Sequence, residues 1–519
     1  MEYVKRNVPV YQQGNTIFDQ FYLNEDVNVA DAKPDVRRVI HTDGVMKVEE
    51  LKKVENYIRA VGKICYKILY AADEGEGKLA LLEGKIPFEE MIYAEEEPED
   101  QLFLKKTAVE IQAEMIHSRK LNLQVVGEIT VCSEGRKEQE ITLDIESKNH
   151  FFRKKEMQKF LRLVTAKRDT YRIRELLTVG GTKENVGTIL WCEVESRKLD
   201  SRIEDGNILL QGELSVFCFY ESLDGKMDWL EQMVPYQGKI ACHGACDSMF
   251  HQIYTDLSDV NVDIRMDADG EMRNLGIEAT LEAHVTVYEE EEMEVLKDIY
   301  TLDHKCILEK SKLQVEQVFM QNHSKCKLVE QLSLPEIKED ILQICHSSGK
   351  IQIENTEIVE RGVQLDGVLH LNFLYVKADD AVPFDVWQGM VPFSWLLESN
   401  ETSADMEWDI NGIVEQLAVG LLGNDQIEVK AVLAFRSFLK KKNILQNIVQ
   451  MELQELDVKE MEKAPGMIGY IVKDGDTLWE LAKKYSTTEA CIKEINQLDA
   501  AELKEGRKLL IFKENLSIL

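Results

Sequence analysis

One stretch occurs three times and decides the fold: AVGKICYKILY (residues 60–70), LQGELSVFCFY (residues 210–220) and LDGVLHLNFLY (residues 365–375). Each copy carries a glycine that is followed eight residues later by a tyrosine. Apolar side chains alternate with more polar ones between these two landmarks. Because successive strand side chains face opposite sides of a sheet, the alternation predicts a strand with one buried face. The glycine lies on that face, which indicates a bend or a close approach of neighbouring groups.

Two further landmarks follow each copy in the same order. The first is an apolar–proline–aromatic triplet at residues 86–88, 234–236 and 391–393. Proline cannot donate to a central ladder, so the triplet predicts a strand start or an edge strand. The second is another alternating strand at residues 121–131, 277–287 and 427–435. Such repetition predicts tandem copies of one β-rich unit.

The predicted architecture is therefore mainly β. We expect three tandem β-sandwich-like repeats over residues 20–160, 165–310 and 325–455, each a separable folding unit. Between the copies lie residues 151–164 and 306–319, whose periodicity leaves short helices and extended connectors both open.

Charge limits the choice of partners. The chain has 519 residues and a formal net charge of −32. A chain this acidic repels phosphate backbones, so we expect neither nucleic acid nor an anionic membrane as its main partner. A basic or neutral protein partner fits the charge, and the alternative is that the acid provides only solubility. The run Glu289–Glu292 is interpreted as a solvated turn, with a binding role as the alternative.

Localisation is predicted from what the chain does not contain. We find no apolar run of the ~18–20 residues that span a bilayer, and the first residues lack the apolar core of a signal peptide. These observations predict a cytoplasmic protein without membrane insertion. The ten cysteines are accordingly interpreted as reduced thiols.

The C-terminal residues 468–512 form a different unit. Tyr470 begins a short strand, and Thr477 with Glu480 forms a capping box at the start of a helix. A second helix is capped by Thr488, and a last strand follows Gly506. The order strand–helix–helix–strand predicts a small α+β (βααβ) domain.

This unit resembles a LysM domain in YIVKDGDTLWELAKKY, IKEINQL and LKEGRKLLIF. The resemblance implies a shallow ligand groove between the first strand–helix turn and the second helix–strand turn. The groove residues carried over to this chain are Gly475, Asp476, Thr477, Leu478, Asn496, Leu498, Asp499 and Leu503. The usual ligands of the family are N-acetylglucosamine polymers. The chain departs from the family at Glu505, Arg507 and Phe512, so a glycan and a protein ligand both remain open.

Trp479 is added to the candidate binding residues. It falls off the apolar stripe of its helix, which predicts an exposed anchor for a partner. The alternative is a tryptophan that forms part of the domain core.

The three repeats resemble the spore-coat-assembly (SPOCS) repeats of endospore-forming bacteria. Lys33-Pro34-Asp35 is typical of the lead-in to such a repeat. SPOCS repeats followed by LysM resemble a family of coat-morphogenesis proteins. This resemblance implies a mother-cell protein at the forespore surface that binds a SpoIVA-like coat ATPase and other coat proteins.

No catalytic constellation is recognisable in the sequence. We find no GxSxG, HExxH or P-loop pattern. The cluster Cys242-His243 with Cys246 resembles a zinc site only weakly, since no second pair completes four ligands. We therefore expect no catalytic residue, metal or cofactor. The leading hypothesis is a non-enzymatic coat scaffold, the alternative is a peptidoglycan-binding LysM protein, and an enzyme ranks third.

Overall fold

A computed structural model describes residues 1–73, 75, 77–94, 101–335, 341–399, 402–403, 405–423, 426–455, 465–498 and 503–513. Strands dominate these residues, and the two α-helices found among them lie in the C-terminal unit. This architecture confirms the predicted mainly β class with a small α+β domain at the end.

Six strands make up each repeat. The first repeat contains β1 (Glu2–Asn28), β2 (Val36–Val54), β3 (Tyr57–Ala72), β4 (Leu79–Tyr93), β5 (Gln101–His117) and β6 (Lys120–Glu146). The second contains β7 (Phe152–Thr178), β8 (Val186–Glu204), β9 (Asn207–Ser222), β10 (Met227–Ala241), β11 (Phe250–Arg265) and β12 (Asn274–Tyr300). The third contains β13 (His304–Ser333), β14 (Ile341–Val359), β15 (Gly362–Lys377), β16 (Phe384–Glu398), β17 (Met406–Gly423) and β18 (Gln426–Glu455). The C-terminal unit follows with β19 (Met467–Ile471), α1 (Leu478–Lys484), α2 (Glu489–Asn496) and β20 (Lys508–Phe512).

Two three-stranded antiparallel sheets form each sandwich. In the first repeat their orders are β2-β3-β4 and β1-β6-β5. The other two repeats keep this topology, with sheets β8-β9-β10 and β7-β12-β11, then β14-β15-β16 and β13-β18-β17. We call the sheet with the shorter strands, such as β2-β3-β4, the smaller sheet and the other the larger sheet. The thrice-repeated stretch is the central strand of the smaller sheet, and its buried side chains pack in the core between the two sheets. The prediction of three tandem β-sandwich-like repeats is thus confirmed.

The first two sequence landmarks are paired in the structure. Gly62 lies opposite Phe88, and Gly212 lies opposite Tyr236. A Cβ at Gly62 would come within 2.8 Å of the Phe88 ring, and one at Gly212 within 2.5 Å of the Tyr236 hydroxyl. Glycine is therefore required because an aromatic ring crosses the backbone there. The triplets lie on β4, β10 and β16, which are edge strands as their prolines predict.

Long two-stranded ribbons extend each larger sheet beyond its sandwich. In the first repeat, residues 2–13 of β1 pair with residues 134–146 of β6. From residue 152 onward, the segment 151–164 belongs to β7, and 306–319 belongs to β13. The helix interpretation is therefore wrong, and the segments are extended as the second interpretation has it, although they are paired strands and not connectors. By strand pairing the repeats span residues 2–146, 152–300 and 304–455. The predicted repeat starts at 20, 165 and 325 therefore fall inside first strands.

The acidic run lies in a ribbon. Glu289 pairs with Arg162 across the ribbon, and Glu290 forms an ion pair of 3.2 Å with Lys159. Opposite charges on facing strands favour this register. The prediction of a solvated turn at Glu289–Glu292 is wrong, because the run is the acidic half of a strand pair.

The repeats are joined by shared apolar cores. One core lies between the ribbons and contains Val8, Ile141, Phe160, Met293, Val295 and Val315. Another lies between the outer faces of the smaller sheets and contains Ile40, Leu69, Ala71, Leu79, Leu190, Trp191, Phe217, Phe219, Cys345, Leu374, Val382 and Phe384. Each core draws on all three repeats. Separating the repeats would expose both cores to water, which argues against the expectation of separable folding units.

Candidate binding site in the C-terminal unit

The C-terminal unit is built around a small core. Strands β19 and β20 pair antiparallel, and both helices pack against them. Val472, Leu478, Leu481 and Ile492 are almost completely buried in this core. Of the predicted groove residues, Leu478 is therefore a core residue whose side chain is 2% exposed.

The turn between β19 and α1 is held by internal hydrogen bonds. Gly475 has a φ of +82°, a backbone conformation that favours glycine. One carboxylate oxygen of Asp476 accepts from the Lys473 amide at 2.7 Å and from the Tyr470 hydroxyl at 2.8 Å. The Lys473 bond and then the Tyr470 bond lower the pKa of Asp476 below its usual value. Asp476 thus shapes the turn.

Both helix starts agree with the sequence prediction. The Thr477 hydroxyl accepts from the Glu480 amide at 3.2 Å, and the Thr488 hydroxyl accepts from the Cys491 amide at 3.1 Å. Each threonine satisfies an amide that the first helical turn leaves without a backbone partner. Thr477, like Asp476, therefore has a structural role within the predicted groove.

The opposite wall of the predicted groove begins at the end of α2. The Asn496 side-chain carbonyl accepts from the Leu510 amide at 2.7 Å, and its amide donates to the carbonyls of Ile492 and Leu510 at 2.9 and 2.7 Å. Leu498 and Leu503 are half-buried against the core. Asp499 lies outside the described residues. The structure thus places Leu478, Leu498 and Leu503 against one core. The side chains of Asp476, Thr477 and Asn496 form hydrogen bonds within the C-terminal unit.

Trp479 faces the second repeat. Its side chain is 8% exposed, and its indole nitrogen donates to an Asp298 carboxylate oxygen at 2.8 Å. Its ring meets the Tyr300 ring edge-on, with centroids 4.9 Å apart. The predicted exposed anchor is therefore wrong: Trp479 is buried, because the end of β12 covers it.

Two more contacts complete this docking. The Lys483 ammonium donates to the other Asp298 oxygen at 2.6 Å, and the Tyr300 hydroxyl donates to the Thr487 carbonyl at 2.9 Å. Burial raises the pKa of Asp298, but the bonds from Lys483 and Trp479 outweigh it and lower the pKa below its usual value. A charged, partly buried carboxylate thus fixes α1 to the second repeat.

A matching site in the first repeat lacks the aromatic contact. Asp144-Ile145 on β6 corresponds to Asp298-Ile299 on β12, and in both pairs the aspartate accepts from the next backbone amide. Asp144 is bound instead by Arg153 at 2.6 Å and by Lys155 at 2.9 Å. Two residues after each aspartate stand Glu146 and Tyr300, respectively. Tyr300 thus supplies a ring contact to Trp479 that Glu146 cannot supply.

The outer face of the β19–β20 sheet remains open to solvent. Met467, Ile471 and Leu510 are 54%, 58% and 37% exposed on alternate positions of the two strands. Arg507 and Lys508 are exposed beside them. Sequence analysis missed this face, although the alternation of MIGYIV and KLLIF indicates a second apolar side.

The cysteine–histidine cluster has no metal-site geometry. Cys242 is 1% exposed and burial raises the pKa of its thiol, whereas Cys246 is exposed. Within the described ranges, no group of three or more His, Cys, Asp or Glu side chains is placed to hold a metal ion. Neither described helix is long and apolar enough to cross a membrane.

Comparison with known proteins agrees with this architecture. Residues 35–116, 185–265 and 340–422 each match the family described as SipL, SPOCS domain. Residues 470–512 match the LysM domain family. No curated protein and no solved structure matched the chain. Three SPOCS domains followed by one LysM domain identify the chain as a SipL-like protein.

Proposed function

We propose that this protein is a non-enzymatic scaffold for spore-coat assembly. In this proposal it works in the mother cell at the forespore surface, where its LysM domain binds a SpoIVA-like coat ATPase and the scaffold helps to encase the spore. The observation that carries the proposal is the combination of three SipL SPOCS domains with one LysM domain in a single chain.

The exposed sheet face of the LysM domain supports a protein partner. Met467, Ile471 and Leu510 form an apolar surface, and Arg507 and Lys508 add positive charge beside it. Exposed apolar side chains grouped beside polar ones are typical of protein interaction sites. The predicted groove supports a glycan less well, because side-chain atoms of Asp476, Thr477 and Asn496 are already engaged in internal hydrogen bonds.

The docking of α1 supports a scaffold that presents this face in a fixed direction. Trp479 and Lys483 hold the LysM domain to Asp298, on the side opposite the outer sheet face. A fixed orientation lowers the entropy that a partner must remove on binding.

Peptidoglycan binding remains the alternative function, because the LysM family match covers residues 470–512. The Gly475 turn, which belongs to the carried-over groove, is also exposed. A glycan of N-acetylglucosamine would then be the ligand in place of a coat protein.

Deletion of residues 468–519 in sporulating cells distinguishes the two functions. The scaffold predicts that coat material detaches from the forespore while the truncated chain still accumulates. Normal encasement by the truncated chain would contradict the proposal. Tight binding of N-acetylglucosamine oligomers by the full chain, without capture of a coat protein, would support the alternative.

A further inference from the structure

A large cleft lies where the three repeats meet, far from the LysM domain in sequence. Its volume is about 880 Å³, within the range of ligand-binding pockets. All three repeats line it, through Phe103 to Thr107, Arg168 to Thr170, Tyr254 to Asp256 and Asp409 to Gly412. The proposed scaffold function assigns no role to this cleft.

Edge strands supply most of the lining of the cleft. Strands β5, β7, β11 and β17, each at an edge of its sheet, contribute runs of consecutive residues. The central strand β12 contributes Glu282 to His284, and β14 contributes Ile351 and Ile353. An edge strand carries backbone N–H and C=O groups on the side away from its sheet, so the lining offers groups with which a further strand can pair.

The charges in the cleft are of both signs. Lys105, Lys106 and Arg168 supply positive charge, and Asp256 and Glu282 supply negative charge. Lys105 lies 3.8 Å from Asp409, which is contributed by another repeat. Apolar contact comes from Phe103, Ile351 and Ile410. A ligand that matches this lining needs an extended backbone with both apolar and charged side chains.

We propose that the cleft binds an extended peptide segment of a partner protein, which adds as a strand to one of the edges. Strand addition uses backbone hydrogen bonds for affinity and side-chain pockets for specificity. The edge from Asp409 to Gly412 keeps an unbroken register and is four residues long, or about 14 Å at ~3.4 Å per residue, whereas β5 has a register shift between Leu104 and Lys106. This length fits a segment of about four residues. The proposal does not depend on the LysM domain.

Random linear heptapeptides displayed on phage provide a probe for the unidentified segment. The full chain is the bait, and the Asn411→Trp variant, which fills the cleft, is used for counter-selection. We expect enriched peptides that bind the wild type and lose at least tenfold in affinity on Asn411→Trp. Hydrogen–deuterium exchange should slow at residues 103–107 or 409–412 when the peptide binds.

Lys106→Glu tests the same cleft without added bulk. Lys106 is exposed and belongs to the lining of the cleft, so the enriched peptides should bind this variant less tightly or change in sequence toward basic residues. Lys85→Glu is the matched control, because Lys85 is exposed on β4 away from the cleft. Thermal melts should show that both variants remain folded.

Three outcomes would overturn the proposal: no enrichment over counter-selection, slowed exchange confined to other strands, or peptide binding by Lys106→Glu and Asn411→Trp that equals binding by the wild type. Slowed exchange at these strands with N-acetylglucosamine oligomers, but with no peptide, would also overturn it. Peptide binding that survives deletion of residues 468–519 would separate this site from the proposed LysM function.

Discussion

The docking of the LysM domain can be tested through one carboxylate. Replacing Asp298 by alanine removes the acceptor of the Trp479 bond at 2.8 Å and of the Lys483 bond at 2.6 Å. Hydrogen bonds to charged groups contribute about 1.5–3 kcal/mol each, and the partial exposure of Lys483 reduces its share toward about 1 kcal/mol. We therefore expect Asp298→Ala to weaken docking by about 2–4 kcal/mol, which is at least about thirtyfold in the docking equilibrium.

Hydroxyl-radical footprinting reads this equilibrium directly. Trp479 is 8% exposed when docked, and undocking opens its ring to solvent. Its oxidation rate should rise several-fold in Asp298→Ala. Trp191, which is 3% exposed in a shared core, should keep its rate and so report that the repeats remain folded.

Asp144→Ala is the matched control. The substitution removes the equivalent carboxylate of the first repeat and its ion pairs with Arg153 and Lys155. Asp144 makes no described contact with the LysM domain. Trp479 oxidation should stay at the wild-type rate. An unchanged rate in Asp298→Ala, or an equal rise in both variants, would refute the assigned role of Asp298.

Three further predictions concern the shared cores and the repeat strands. Phe219→Ala should lower the free energy of unfolding, measured by urea titration, by about 3–5 kcal/mol, because Phe219 is fully buried against Phe384 of another repeat. Phe18→Ala, at a side chain that is 60% exposed, should change it by less than about 0.5 kcal/mol. Gly212→Ala should lower the free energy of unfolding by about 1–3 kcal/mol, since its Cβ would meet the Tyr236 hydroxyl at 2.5 Å. Gly180→Ala should lower it far less, because a Cβ at Gly180 has no atom within 4 Å. Similar shifts in melting temperature for the two variants would contradict the close packing at Gly212. The third is a pH dependence: burial lowers the pKa of His346, but the hydrogen bond to Glu193 and the ion pair with Glu231, both of the second repeat, outweigh it and raise that pKa to about 9. This pKa lies above the usual value of ~6.5. The contribution of protonated His346 to the free energy of unfolding is therefore complete below about pH 6.5 and is lost as the pH rises toward 9. Wild type should therefore lose as much as about 3 kcal/mol of stability over this range, and His346→Gln should lose less; parallel melting curves from pH 6.5 to 9 would refute it.

The same buried pair has an acid limit. Burial raises the pKa of Glu193, but bonds from His346 and Trp191 outweigh it and lower the pKa to about 2. The contribution of Glu193 is therefore present above its unfolded pKa of about 4.3 and is lost as the pH falls toward 2. The contact between the second and third repeats should thus be strongest between about pH 4.5 and 6.5.

The sandwiches could be predicted from the sequence because apolar and polar residues alternate clearly along the repeated strands. The repeated glycine and the aromatic triplet were recognised separately, and the structure shows that they are partners across β3 and β4. The boundaries between repeats could not be predicted in the same way. Ribbons such as 152–163 mix charged and apolar side chains, because each ribbon packs on other ribbons along only part of its surface.

The core shared by the outer faces of the smaller sheets has a sequence signal, which the alternation of apolar and polar residues obscured. In VFCFY, residues 216–220, Phe217 and Phe219 are apolar although they lie on the face opposite Val216 and Cys218. Strands buried on both faces have nearly continuous apolar runs, and this run predicts burial on both sides. The partner across the second face lies in another repeat, as Phe384 does for Phe219, and no local pattern predicts that pairing.

The candidate site divides in the same way. The helix caps Thr477 and Thr488 were predictable because capping depends on neighbouring residues. The burial of Trp479 was not, since Asp298 and Tyr300 stand about 180 residues earlier in the chain. The outer sheet face would have been found by applying the alternation test to the short strands of the LysM domain.

The binding of a purified SpoIVA-like coat ATPase by the full chain tests the central claim most directly. Ile471→Arg places a charge in the exposed apolar face, and Leu176→Arg places one at a similarly exposed leucine of the second repeat. Loss of one interface anchor costs at least about 2 kcal/mol, or about thirtyfold in affinity. The scaffold account predicts that Ile471→Arg weakens ATPase binding by this factor and that Leu176→Arg leaves it unchanged. Equal affinity of Ile471→Arg and wild type for the ATPase, or no binding by either chain, would contradict the account.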